Sequence, residues 1–227
     1  MIKDFDHHVH IGQFNDKYFQ PHTVIETLHK NSIKGCWFFS TTSCLEWLDN
    51  QTKDMLISHV HDEIMEALKT AKKLEFEAKP LYWVIPKRHK EGDSIFEVMT
   101  SLPYTGFKIH PRAHNWNMND MFTAELFTEI CNYASATKLP IVIHTGESPE
   151  DNPIKFIKWF EDYPDNQFVL AHCSPIDTFL KLLHRYNNVY GDSSFVSKET
   201  LEKINQSSFY ERILYGTDYP VNTSIYK

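Results

Sequence analysis

No run of lysines and arginines in this chain is longer than two residues, and the formal net charge is −7. A protein that works on nucleic acid carries a basic face, so this argues against nucleic acid as the main partner. Apolar stretches stay far short of the ~20 residues that a membrane-spanning helix needs. The first residues show no basic segment leading into an apolar core of the kind that directs secretion. A soluble, cytoplasmic protein with no membrane partner is the expectation. The four cysteines, Cys36, Cys44, Cys131 and Cys173, are scattered and form no CxxC pair. That argues for reduced thiols and against a disulfide framework or a thiolate zinc site. Also missing is the glycine-rich fingerprint of a dinucleotide site.

What is present is an alternation. Apolar residues make up 41% of the 227, enough for a sizeable core. Runs rich in Ile, Val, Phe or Tyr fall at 4–11, 33–40, 80–85, 104–110, 140–144, 167–172, 188–192 and 213–217, and each reads as a strand. Amphipathic segments separate them. Pro21 opens one that runs to residue 30, and others span 53–74, 121–136, 153–160, 175–186 and 198–204. The stretch 94–102 is at best a short helix, because Pro103 ends it. Strands separated by helices imply crossovers and a parallel sheet. Eight such strands predict an α/β fold of the (β/α)8 TIM-barrel type in a single domain, 1–227. Little chain follows the eighth strand, so the last covering helix is expected to be absent or replaced by a partner, for which a homodimer is the natural candidate.

The stretch DFDHHVHIG (4–12) places three histidines within four positions. Side chains alternate along a strand, so Asp6, His8 and His10 share one face while His7 faces the helix layer. Two imidazoles two residues apart can chelate one ion. Later strands end alike: GFKIHP puts Lys108 and His110 on a common face, LPIVIHTGE ends on His144, FVLAHCS on His172 and ILYGTDYP on Asp218. In a parallel barrel all C-terminal strand ends lie at one rim, so these residues are expected to gather there. A single strand-end histidine is more often a hydrogen-bonded rim residue than a ligand; recurrence on strand after strand points to a metal site. Imidazole and carboxylate donors suit zinc, with manganese, iron and cobalt as other fits. Of the remaining histidines, His59 and His61 fall in the long helix, and His22, His29 and His184 in or beside other helices. His89 and His114 fall in loops, His114 at the surface.

Taken together, these motifs resemble the amidohydrolase superfamily. DFDHHVHIG is similar to its DxHxH opening. GFKIHP, PIVIHTGE, FVLAHCS, NVYGDSS and LYGTDYP resemble, in order and over nearly the whole chain, the later strands of its amidohydrolase-related branch. That branch includes aminocarboxymuconate-semialdehyde decarboxylase and several lactonases. The resemblance implies a metal-dependent barrel enzyme with His8, His10, His144 and Asp218 as ligands. For His172 it implies either a second-metal ligand or the residue that orients and deprotonates bound water. Two-metal members use a carboxylated lysine, for which Lys108 is the candidate. One divalent metal is the expectation, a second staying open, with Lys108 and His110 as substrate contacts.

An ion so held lowers the pKa of bound water from about 15.7 to roughly 7. Asp218 or His172 would then act as general base and return the proton to the leaving group. Hydrolysis of a small amide, lactone or ester is the expected activity. The alternative is non-oxidative decarboxylation of a small unsaturated or aromatic acid, with Arg112 in HPRAH clamping the substrate carboxylate. A third reading, a metal-binding barrel without turnover, is disfavoured because His172 and Asp218 are both in place.

Overall fold

A computed structural model describes residues 3–205, 209–222 and 226. They fall into two compact units: a terminal unit of Ile2–Trp83 with Tyr215–Lys227, and a central unit of Val84–Leu214.

The terminal unit carries β1 (Phe5–Phe14), β2 (Lys17–Phe19), α1 (Pro21–Lys30), β3 (Gly35–Ser40), α2 (Asn50–Lys73), β4 (Glu77–Pro80) and β5 (Tyr82–Trp83). Its sheet has the order β2-β1-β3-β4. β3 runs parallel to both β1 and β4, and β2 folds back antiparallel on the end of β1. All six residues of β3, GCWFFS, are buried, as expected of a strand covered on both faces. α1 starts on Pro21, whose missing N–H costs nothing in a first turn, and buries Val24, Ile25 and Leu28. α2 opens on a reciprocal cap: Thr52 N donates to Asp49 Oδ1 at 2.8 Å and Asp49 N to Thr52 Oγ1 at 3.0 Å. Val60, Ile64, Ala67 and Ala71 form its buried stripe.

In the central unit lie α3 (Pro86–Lys90), α4 (Ile95–Ser101), β6 (Phe107–Ile109), α5 (Met121–Thr137), β7 (Ile141–His144) and α6 (Ile157–Asp162). They are followed by β8 (Phe168–Ala171), α7 (Ile176–Arg185), β9 (Val189–Asp192), α8 (Lys198–Asn205) and β10 (Ile213–Leu214). The order β10-β9-β8-β7-β6 is parallel throughout, and helices cross between successive strands. α5 is capped by Asp120, whose Oδ2 accepts from Thr123 N at 3.0 Å, and it ends on Lys138 in the left-handed conformation. Gly191 in β9 lets α7 approach closely, since a Cβ there would lie 2.5 Å from Phe179 Cζ and 2.6 Å from Cys173 Sγ.

Each of the eight expected strands is present, most of them shortened. The run at 80–85 is split, with β4 ending on Pro80 and β5 beginning at Tyr82; proline has no N–H to continue a ladder. β2 was not expected, because three residues give too short a pattern to read. The helix expected at 153–160 opens as a 3₁₀ turn, Pro153–Phe156, before α6. His89 lies in α3 rather than in a loop. The strand expected at 213–217 stops at Leu214, and the residues after it bond to β1. Among the described residues no α-helix follows β10, the four cysteines form no disulfide, and no helix is long and apolar enough to cross a membrane.

Candidate metal centre

In the terminal unit, the main chain brings β1 against residues 215–219. His7 N donates to Tyr215 O at 2.8 Å, Asp218 N to His8 O at 2.9 Å, and His10 N to Tyr219 O at 2.8 Å. β1 also carries an extra residue, for Asp6 faces Cys36 and Val9 faces Phe38 across the ladder to β3. The outcome is a convergence. His8 Nε2 lies 2.9 Å and His10 Nε2 2.8 Å from the same Asp218 Oδ1. All three residues are buried. Phe39 meets the two imidazoles edge-on, at 5.1 and 4.6 Å between ring centres, and Trp83 lies 6.0 Å from His10. These walls restrict rotation of the rings. His7 points elsewhere, packing between Phe5 and Trp37.

Burial works against ionisation of Asp218, but the charges of His10 and His8 and their hydrogen bonds outweigh it and hold the carboxyl well below the usual carboxylate range. Its backbone is left-handed, φ 61°, an uncommon state for a non-glycine residue and one that persists only where surrounding contacts enforce it. Its neighbour Thr217 is held by Asp6. This fully buried carboxylate accepts from His8 N and Thr217 N at 3.1 Å each, from Thr217 Oγ1 at 2.6 Å and from Tyr226 Oη at 3.1 Å. One side chain thus ties the strand bearing His8 to the segment bearing Asp218. Burial raises its pKa to about 6, although hydrogen bonds from Thr217, His8 and Tyr226 and the charge of His8 pull the other way.

The central unit holds the remaining strand-end residues. His110 follows β6, His144 ends β7 and His172 follows β8, while Lys108 is buried inside β6. The rings of His110 and His144 stack at 3.7 Å with an interplanar angle of 15°. Asp151 lies 3.7 Å from His110 Nδ1 and 3.9 Å from His144 Nε2. Imidazole donates its lone pair in the ring plane, so two parallel rings this close cannot both aim at one ion. The terminal-unit trio differs: its rings are tilted by 43° and its donor atoms converge. Burial, then the nearby Lys108, holds His110 neutral, its pKa lowered to about 2.

Arg112 is engaged by Asp151, which accepts from its main-chain N at 2.9 Å and lies 3.4 Å from its Nε. His114 is half-buried rather than on the surface, and burial lowers its pKa to about 4. Of the residues expected at the rim, His8, His10 and Asp218 meet in the terminal unit. Lys108, His110, Arg112, His144 and His172 lie in the central unit, where His144 touches both His110 and His172. Sequence reasoning gave no role to Asp6, Asp151, Asp192 or Ser194. The alternation that put Asp6 beside His8 was a usable signal, whereas Asp151 sits in a loop where no periodicity marks it.

The donor set of the trio, two imidazole nitrogens and a carboxylate oxygen within 4.8 Å of one another, fits a divalent cation. An ionised Asp218 supplies charge balance, and neutral imidazoles supply lone pairs.

A family model described as amidohydrolase matches residues 81–227. No curated protein sequence matches the chain. Among solved structures, an uncharacterized TIM-barrel protein from Bordetella bronchiseptica is similar at 15% identity and a TM-score of 0.63, over 96% of this chain and 86% of that one. A 5-carboxyvanillate decarboxylase from Novosphingobium aromaticivorans, with bound manganese, follows at 16% identity and a TM-score of 0.59, over 86% and 70%. An N-acetylneuraminate lyase from Mycoplasma synoviae gives 16% and 0.56, over 97% and 70%. At these identities the likeness is one of fold, and the fold is of the TIM-barrel class.

Proposed function

The chain belongs to the amidohydrolase family, and from that premise we propose that it is a metal-dependent enzyme whose ion is held by His8, His10 and Asp218. One observation carries the reading: two imidazole nitrogens approach a single buried carboxylate oxygen at 2.9 and 2.8 Å. An ion bound there supplies a Lewis acid and an acidified water. The imidazole-rich set supports zinc; the likeness to a manganese-bound decarboxylase supports manganese. The motif PIVIHTGE supports His144 as a metal ligand in its own right.

The proposed reaction is hydrolysis of a small amide, lactone or ester. Asp218, as a carboxylate, takes the proton of the attacking water and returns it to the leaving group. Phe39 and Trp83 hold the histidines in place. Decarboxylation of a small unsaturated or aromatic acid is the second reading, supported equally by the solved decarboxylase. Its expected carboxylate clamp, Arg112, is already engaged with Asp151, so a substrate has to compete with an internal carboxylate.

Metal analysis of the purified wild type, His10→Ala and Asp218→Asn tests the ligand set. The two variants are expected to lose bound metal, and His144→Ala tests that histidine in the same assay. Wild-type metal content and activity in both His10→Ala and Asp218→Asn would overturn the reading. A panel of lactones, amides and aromatic acids then separates the reactions: carbon dioxide release marks a decarboxylase, base consumption without it a hydrolase.

A further inference from the structure

We propose that Phe195 is a specificity-determining residue, whose ring is the wall on which a flat apolar group of the substrate lies beside His172. This rests on the enzymatic reading above and deepens it at one residue, the one that sorts substrates by the group next to the reacting bond.

A single exposed apolar side chain needs no explanation on a protein surface. In Phe195 exposure coincides with two further features. Its ring is 60% exposed, so it adds little to the core. Its backbone is left-handed, φ 55°. Its ring centre lies 5.8 Å from that of His172, tilted by 59°.

The left-handed state has a local cause. Val196 N donates to Ser193 O at 3.2 Å, closing a four-residue turn in which Phe195 takes the third place. A positive φ there usually falls to glycine or asparagine, because a Cβ crowds the backbone. The turn is pinned on both sides. Ser193 N donates to Leu214 O at 3.0 Å and Ser194 N to Asp192 Oδ1 at 3.0 Å. Beyond the turn, Ser197 Oγ accepts from Thr200 N at 3.1 Å at the start of α8. A loop anchored in this way fixes where the Cβ of Phe195 points.

Its place in the central unit supplies the role. β8 and β9 are adjacent and parallel. His172, just past β8, and Phe195, just past β9, therefore emerge at the same strand ends. Those ends also carry His110 and His144, and in folds of this class the chemistry takes place there. A strained aromatic ring left in water gains nothing for the fold, and strain of this kind gathers where ligands are held. A flat apolar group laid on Phe195 shields the ring from water. It meets the ring offset or edge-on, the geometries that aromatic pairs favour.

Benzoate is the probe, being both the acid half of an aryl amide or ester and the simplest aromatic acid. Acetate, which has no ring, is the control. Dissociation constants are taken from chemical-shift titrations of the full-length wild type, Phe195→Gly, Phe195→Asn and Phe195→Leu. Benzoate is expected to bind the glycine and asparagine variants about tenfold more weakly than the wild type, with the leucine variant between. Acetate affinity is expected to be the same in all four. In the wild type, benzoate ring protons are expected to show Overhauser contacts with the Phe195 ring, whose signals the leucine variant assigns. Glycine and asparagine tolerate a positive φ, so both variants are expected to melt no lower than the wild type. A ring that served folding would lower both melting temperatures. That result, benzoate affinity equal in the wild type and Phe195→Gly, or no benzoate binding to the wild type overturns the proposal. The metal content of the same wild-type sample is measured separately. Its absence counts against the proposed function, while the benzoate ratio decides the role of Phe195.

Discussion

His114 and Asp6 show one rule acting with opposite signs: burial disfavours whichever form is charged. It lowers the imidazole to about 4 and raises the carboxyl to about 6. For His114 the consequence is a pH dependence of stability. Between pH 6.5 and about 4 the unfolded chain takes up a proton that the folded protein refuses. The stabilisation from a neutral His114 is therefore complete above pH 6.5 and is lost as pH falls toward 4. Its size is at most about 3 kcal/mol, from 1.36 kcal/mol per unit. Urea melts of the wild type and His114→Gln across this range are expected to converge as the pH falls, and a constant difference would contradict it. Asp6 acts through its four donors. Asp6→Ala leaves buried N–H and O–H groups without an acceptor, at about 1–3 kcal/mol for each group that water cannot reach. It should weaken metal binding along with stability, because the clasp on Thr217 holds Asp218 in place. Chelator competition measures the first, denaturant melts the second.

Among elements, β1 is the one whose position decides most. It passes Glu63 of α2 at Gly12, φ 84°, where a Cβ would fall 2.4 Å from Thr42 Oγ1 and 2.6 Å from Glu63 Oε2. Ser40 Oγ and Thr42 Oγ1 each donate to that buried carboxylate at 2.6 Å. Gly12→Ala meets both a strained backbone and an occupied space, and is expected to cost on the order of 2 kcal/mol or more, read as a lower urea midpoint. The period-2 pattern of β1 was legible, as were the amphipathic patterns of α2 and α5. The bulge between Asp6 and Val9 was not, since nothing in DHHV marks where one strand takes an extra residue against its neighbour.

At the scale of the whole chain, the proposed ligands His8 and His10 are some two hundred residues distant from Asp218 in sequence yet joined to its segment by main-chain hydrogen bonds. An ion held across such a span binds the folded chain and not the unfolded one. Chelation of the metallated protein is thus expected to lower its melting temperature, and restoring manganese or zinc to raise it. The effect reaches about 2.7 kcal/mol when free metal is one hundred times its dissociation constant. In Asp218→Asn the response to chelator should largely vanish. A wild type equally stable with and without chelator would count against the site.

Residue spacing by itself determined the alternating elements, the parallel α/β class and the short list of strand-end imidazoles and carboxylates, because these depend on local periodicity and on where a strand must end. Partner choice lay beyond it. That Arg112 is claimed by Asp151, that Asp6 clasps Thr217, and that Asp192 accepts from both His172 N and Ser194 N were decided by the tertiary structure. Such pairings depend on register, a bulge and loop backbone, and each of these is fixed by contacts between segments that carry no trace of one another in sequence.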